Sequence, residues 1–592
     1  MKNLTRKEKK EILLGAFVFL VIVLGFYLYL FRKYDPIYGI NDDWTLYMVI
    51  SGSYLGYPEP RVTYMLYPLA WLLSGLYGLT TEIPWYALML HGSCMLCGLA
   101  LYAGFFFRIR PFVKRLVFSG GALVIFLLSN IRILLFIQYT QVAAMCGAAA
   151  IFLFLTAETK KASGKQYLIR NIPTIAMAVL ALNIRQNALY MCLPVGGMIF
   201  LGKWFLEDRR VNKKVLQKYA GFLAAAAGSI GGMLLCHQVA YSAPEWKEYI
   251  KVNDIWTECV DYYGMPLYEE IKNAVDANGM TQEDYEISLI HQTYYHGEME
   301  YSDFLRIMAD TAKEKYDEAH PFSVKLKDST VAIWNSLFTP DMQPQNLLVC
   351  LMGILVVLLL LLQKNKEGLI LGLCYLFGRF FAWYYLLFAG RFPTRIPQGL
   401  FMADLMVLFG FFLYFGLGNF DTRYKNRKIS QIIIAICAIA VIPITLQGLK
   451  YVGSDSDYVE IHQDRWYGIK TYCMAHPENL YAMSGGSQTL FYFSDNILET
   501  ETIGKPQNYY TNTNFDSPSP NFYQKLGIGR DEDMAEKVLE LENHYWIYET
   551  GCFSPEADII KYYQYRYDSF GYELVDTFAT QTSSFEVYRF YK

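Results

Sequence analysis

Charge is what this chain has least of. Asp, Glu, Lys and Arg make up 18% of its 592 residues, and the two signs nearly cancel, 52 basic against 55 acidic. A nucleic-acid-binding protein built on bulk positive charge is therefore excluded. Disorder and collagen-like sequence are excluded too, since hydrophobic residues reach 54% and glycines number only 43. The 11 cysteines show no metal-type spacing, and most lie in apolar runs, so the chain is not a disulfide scaffold. Only Cys259, Cys473 and Cys552 fall in polar segments, and Cys473–Cys552 is the pair an oxidising compartment would join. No period of 20–50 residues marks a solenoid.

What is present is apolar length. A spanning helix needs ~20 mostly apolar residues, and eleven such runs can be read: 11–31, 85–107, 116–136, 139–157, 171–184, 187–205, 217–240, 345–363, 369–388, 395–417 and 429–449. The chain holds 49 Tyr and 39 Phe, as suits a wide belt at the membrane–water interface. Residues 62–80 are a twelfth candidate, which the charge pattern rejects. With eleven spans and a cytoplasmic N-terminus, the segments 1–10, 108–115, 158–170, 203–218, 363–367 and 418–428 all fall inside and carry 25 Lys and Arg, against 6 in the short outside segments. A twelfth span would invert everything after it and destroy that bias. Residues 62–80 are therefore expected to lie in the outer interface, broken by Pro68.

The expected fold is a polytopic α-helical membrane protein with an extracytoplasmic C-terminal α/β domain. The membrane module covers 1–449. It includes a first external loop, 32–84, with interfacial helices, and a large external loop, 241–343. The tail, 450–592, mixes strand-like runs (NLYAMS, HYWIYET, FEVYRFY) with a helix-like one (DEDMAEKVLELEN). The whole reads as a multi-pass plasma-membrane protein.

This topology gathers Asp42, Asp43, Arg61, Glu82, Arg132, Arg185, Arg391 and Arg395 at the outer face. Ionisable residues near a bilayer are functional candidates. In Tyr38-Gly-Ile-Asn-Asp-Asp-Trp-Thr-Leu-Tyr47, Asn41 can cap a helix, with Asp42 and Asp43 in its first turn, where acids favour the helix dipole. The alternative is a carboxylate acting as general base or metal ligand at the membrane surface. Adjacent acids point in different directions on a helix, so one would act while the other orients. Arg391 and Arg395 flank a tight turn, Gly390 to Pro393, between two aromatic-rich spans. They either snorkel to headgroups or bind a lipid phosphate through paired hydrogen bonds. Arg379 and Asp404 each lie nine residues in from the outer ends of antiparallel neighbouring spans, at a depth of ~13 Å, and are expected to form an intramembrane ion pair.

The paired acids early in an external loop, a broken interfacial segment and many spans resemble the GT-C superfamily, multispanning glycosyltransferases that use polyprenyl-phosphate-linked sugars. There the first external loop carries an acidic pair, then a glycine, then a His-Pro-Pro-like segment. Asp42-Asp43 match the acids and Gly52 or Gly56 the glycine, while Arg61…Tyr67-Pro68 stands only loosely in the third position. The chain also looks like a Gram-positive-type member, from the Trp85-Tyr86 opening of the second span, the Gln138-Tyr-Thr140 turn and the Gly390-Arg391…Arg395 turn. The resemblance implies a GT-C-like fold and an inverting transfer of sugar from a polyprenyl-phosphate donor to a cell-envelope glycan or protein. Asp42 or Asp43 would be the base. Arg391, Arg395, Arg185 and Arg132 would hold the donor phosphate, and Trp44, Arg61, Glu82 and Tyr139 would contact acceptor or sugar. A divalent cation, Mg or Mn, on the first-loop acids is the one cofactor it allows. A flippase for lipid-linked sugars and a non-catalytic assembly protein are the alternatives.

Overall fold

The computed structural model describes residues 5–209, 211–290, 292–417, 427–484, 496–501, 503–511 and 518–592. Among them, eleven helices are long and apolar enough to cross a membrane, and they coincide with the eleven expected runs. Their ends follow from local chemistry. Thr5 and Glu8 form a capping box that starts Arg6–Lys33. Ser163 and Gln166 do the same for Gly164–Ile184, which extends the fifth span well beyond its apolar run. The third span is shorter than expected. It runs Phe112–Ser129 and stops at Asn130, whose amide donates back to the Phe126 carbonyl; Ile131–Leu135 is a separate short helix.

Residues 62–80 do not cross. They give the helix Tyr67–Leu79, thirteen residues and so ~20 Å long. Pro68 does not break this helix; it occupies the first turn, where a missing N–H costs nothing, and so starts it.

Tyr139–Thr156 is the hub of the bundle. It packs against Trp85–Arg108, Gly164–Ile184, Gln186–Glu207 and Arg395–Phe411. Its Ala143, Ala144, Gly147 and Ala148 let neighbouring backbones approach closely. Just ahead of it a two-residue parallel ladder joins β1 (Ile37–Tyr38) to β2 (Phe136–Ile137). Gly39 continues that ladder, its N–H donating to the Ile137 carbonyl. A Cβ at Gly39 would lie 2.6 Å from the Phe136 oxygen, so only glycine fits there. The ladder fixes the helix Asn41–Ser51 beside the start of Tyr139–Thr156. Asn41 is the first residue of that helix, and Ile40 rather than Asn41 stands at the N-cap. Gly52 ends it in the left-handed region, φ +85°, with Pro58 too close to admit a side chain.

The polar segment after residue 240 folds back over this first loop. It begins with the helix Pro244–Thr257 and continues through a short π-helical stretch, Glu258–Tyr263. The helix Tyr301–Ala319 packs on both. Tyr241 O–H donates to the Val62 carbonyl, tying the segment to residues 52–66.

The tail is not set apart by a linker. The last span is part of one helix, Arg427–Ala475, which passes through 449/450 without a break. It leads into a mixed sheet of β3 (Leu480–Met483), β4 (Tyr509–Thr511), β5 (His544–Glu549), β6 (Gly571–Ala579) and β7 (Ser584–Tyr591), in the order β4-β3-β5-β7-β6. The two-residue period of the strands divides their side chains. Tyr481, Met483, Tyr509, Ile547, Phe585 and Val587 join the core of the membrane bundle. Ala482, Tyr510, Trp546, Tyr548 and Phe590 form a second core with the helices Pro520–Leu526, Met534–Glu540 and Asp558–Arg566. Cys473 and Cys552 do not pair: Cys473 is buried beneath the sheet, Cys552 is exposed, and both are free thiols.

Candidate functional site

The start of the hub helix organises the site. Tyr139 N–H donates to both oxygens of Asp43 at 3.0 and 3.2 Å, and Tyr139 O–H donates to Asp42 Oδ2 at 3.0 Å. Tyr86 O–H adds a third bond to Asp43, at 2.7 Å. Asp43 is completely buried. Burial pushes its carboxyl well above the ordinary carboxylate range, against the opposing pull of the Tyr86 and Tyr139 hydrogen bonds and the Arg395 charge. Asp42 is half-buried and faces outward. The two acids thus divide: Asp43 fastens the loop to the hub, and Asp42 is the one a ligand can reach.

Beside them is a cavity of about 670 Å³. Arg185, Arg391 and Arg395 line it, and so does Thr140, the residue after Tyr139. Its other walls are apolar, with Met191, Leu193, Pro194, Phe381, Leu386 and Ile396 among them. The Arg185 guanidinium lies over the Tyr64 ring at 4.1 Å and the Tyr139 ring at 5.3 Å. Tyr64 holds a positive φ of 74°, a conformation that costs a non-glycine residue ~1–3 kcal/mol and tends to occur at functional sites. Burial raises its phenol.

Arg391 is engaged by Asp261, Nη1 to Oδ2 at 2.7 Å. Asp261 comes from the π-helical stretch of the large loop. Its carboxyl is raised by burial and drawn back by Arg391 and Arg395. Asp261 and Tyr64 are not among the residues expected from the sequence. The signal for Asp261 was its place in Glu258-Cys-Val-Asp-Tyr-Tyr263, an acid beside two aromatics in an external segment. Nothing short of the fold could have paired it with a residue 130 positions on.

Of the predicted residues, Arg185, Arg391 and Arg395 line the cavity, Asp42, Asp43 and Tyr139 adjoin it through Thr140, and four others lie elsewhere. Trp44 is buried under the tail, its ring stacked 6.4 Å from Tyr509 and edge-on 6.3 Å from Trp466, so it offers no open face to a sugar. Arg61 is clamped by Glu59, Nε to Oε1 at 2.8 Å, and lies over Trp246. Glu82 is exposed in the turn before Trp85–Arg108. Arg132 sits on the short helix Ile131–Leu135, which packs against the long helix Arg427–Ala475. Deep in the bundle, Arg379 Nε donates to Asp404 Oδ2 at 2.7 Å, and Tyr375 O–H donates to Oδ1 at 2.7 Å.

The acids do not suit Mg or Mn. Asp43 already accepts three hydrogen bonds and Asp42 accepts the Tyr139 hydroxyl. Among the described residues no group of three His, Cys, Asp or Glu could hold a metal ion.

No family model matches the chain, and no curated protein matches it. Among solved structures it is similar to ArnT from Cupriavidus metallidurans bound to undecaprenyl phosphate, at 11% identity and a TM-score of 0.37, with 97% of each chain covered.

Proposed function

We propose that this protein is a membrane glycosyltransferase of the GT-C type, transferring a sugar from a polyprenyl-phosphate donor to an acceptor at the face that carries the first loop. One observation carries the reading: a half-buried carboxylate, Asp42, is held by the hydroxyl of Tyr139, the residue next to Thr140 in the wall of a largely apolar cavity lined by three arginines. That pairing of chemistries suits a lipid that ends in phosphate.

The isoprenoid tail lies along Met191, Leu193, Phe381 and Ile396, with its phosphate toward Arg391, Arg395 and Arg185. Asp42, oriented by the Tyr139 hydroxyl, takes the proton from an acceptor hydroxyl. That oxygen attacks the anomeric carbon as the bond from that carbon to the phosphate oxygen breaks. The electron pair leaves with the polyprenyl phosphate, and the configuration inverts. The arginines stabilise the charge that grows on the leaving oxygen. Asp43 is a positioning residue: it holds Tyr139 and, through Tyr139, Asp42. The outer loops and the docked tail exclude water that would otherwise hydrolyse the donor. The acceptor is a cell-envelope glycan or protein, and the N-terminus is cytoplasmic.

The test uses the full-length protein in nanodiscs with a panel of polyprenyl-phosphate sugars, following release of polyprenyl phosphate. Asp42→Asn should lower turnover ~10²–10⁴-fold with donor binding kept. Turnover that survives Asp42→Asn refutes the assignment of the base. Donor binding unaffected by joint removal of Arg391 and Arg395 refutes the assignment of the cavity.

A further inference from the structure

A second large cavity lies at the other end of the same two helices. The first cavity touches Thr140 at the start of Tyr139–Thr156 and Arg395 at the start of Arg395–Leu417. The second, about 740 Å³, touches Glu158 and Thr159 just past the end of the former, and Leu413, Tyr414 and Leu417 at the end of the latter. Eighteen residues of helix separate the two levels by ~27 Å, about the thickness of a bilayer's hydrocarbon core.

Among the described residues, six basic side chains line this second cavity, Arg108, Arg110, Lys114, Lys160, Lys161 and Arg170, against the single acid Glu158. A general excess of positive charge on one membrane face does not require such convergence. Where the bundle uses cations on this face for structure, it pairs them. Lys218 bonds Asp208 at 2.8 Å, buried Lys203 lies 3.7 Å from Glu207, and Arg115 bonds Glu11 at 3.2 Å. Three of the cavity's cations are likewise anchored: Arg108 by the Thr156 carbonyl and the Tyr414 ring, Arg170 by the Glu158 carbonyl, and Lys160 by Glu367. Arg110, Lys114 and Lys161 have no ion pair among the described residues.

The cavity also has an apolar side, formed by Phe118, Leu413, Ile434 and Ala435. That side opens on the lipid-facing flank of the bundle, where Val113, Val117, Ile432 and Ile436 are exposed. A cationic lip above an apolar wall at headgroup level is the arrangement that retains an anionic lipid.

We propose that this cavity is a binding site for a phosphate-bearing lipid of the leaflet opposite the donor cavity, its headgroup held by Arg110, Lys114 and Lys161 and its chains along Phe118 and Ile434. The recognised chemistry is a phosphate ester, which either an anionic lipid or a soluble phosphate could supply, so the test has an arm for each.

Full-length protein in neutral detergent is titrated with phosphatidylglycerol, with phosphatidylcholine and with inorganic phosphate. Bound lipid is counted by native mass spectrometry, and competition by phosphate is followed in the same samples. One phosphatidylglycerol should bind per chain, at least tenfold more tightly than phosphatidylcholine. The triple change Arg110→Gln, Lys114→Gln, Lys161→Gln should weaken it ~100-fold, from about fivefold per cation removed. The charge-keeping set Arg110→Lys, Lys114→Arg, Lys161→Arg should restore it, which separates charge from folding. Lys247→Gln, exposed on the helix Pro244–Thr257 and in the lining of neither cavity, should leave it unchanged. Equal binding of both lipids, or phosphatidylglycerol binding that the triple change does not alter, overturns the site. Displacement of the lipid by millimolar phosphate overturns the lipid as its occupant. Neither result bears on transferase activity, so the two readings fail separately.

Discussion

Arg379 and Arg391 lie on the same helical hairpin, twelve positions apart, and each meets an aspartate at 2.7 Å. Their surroundings make them opposites. Arg379 is buried among spans and opposed by Asp404 from a neighbouring one, which Tyr375 also bonds, so every charge has its partner within a rigid bundle. Arg391 lines a cavity together with Arg185 and Arg395, and is met by an acid from a π-helical turn in a surface loop. An arginine neutralised inside the bilayer is a rivet. Three arginines with two reachable acids, Asp42 and Asp261, leave net positive charge at a cavity mouth for something that enters.

That contrast breaks first if the buried pair is cut. Asp404→Ala leaves a guanidinium buried without its counter-charge and should cost ~3–5 kcal/mol of stability, read as a large fall in thermal midpoint. Arg391→Ala should do the reverse, holding the midpoint while slowing turnover ~10²–10³-fold, a barrier change of ~2.7–4 kcal/mol. If Arg391→Ala melts the protein and Asp404→Ala does not, the two roles are exchanged.

A third measurement asks whether the tail behaves as part of the rigid region. His544 is buried between Tyr510 and Trp546, bonded to the Tyr510 hydroxyl at 2.7 Å, and burial lowers its imidazole from 6.5 to about 3. Above pH 6.5 the group is neutral whether folded or not and contributes no pH dependence. Between about 6.5 and about 3 only the unfolded chain takes up the proton, so stability falls as the pH falls, with a slope approaching ~1.4 kcal/mol per unit. His544→Asn should flatten that part of the stability curve. The smallest effect is expected at Asp261. Asp261→Asn releases Arg391 for the phosphate, and because a half-exposed pair is worth ~0.2–1 kcal/mol, donor affinity should rise only severalfold in a binding titration.

The eleven spans were legible because each is a long apolar run, a local property. So were the strands around Leu480, His544 and Phe585, through their alternation. Topology alone brought Asp42, Arg185, Arg391 and Arg395 to one face, since knowing which loop a residue occupies fixes its side of the bilayer. It could not fix which neighbours a residue meets on that face. Trp44, Arg61 and Arg132 were placed near the chemistry for that reason, whereas the fold spends Trp44 on docking the tail and Arg61 on a clamp with Glu59. Asp261 and Tyr64 went unseen because their roles depend on a polar loop folding back over the first one. The expected boundary at 449/450 failed to show the joint because the helix Arg427–Ala475 continues through polar residues that no apolar run marks.

The two-residue ladder between β1 and β2 has a consequence for the order of assembly. Asp42 and Asp43 precede the Tyr139 groups that hold them by 97 and 96 positions. At ~5–20 residues per second, the first loop waits roughly 5–20 s, while two more spans are made, before both acids acquire Tyr139. Its outer surface waits longer still. Trp44 meets Trp466 and Tyr509, which lie more than 400 positions further along the chain. The first loop is thus made well before the segments that close over it.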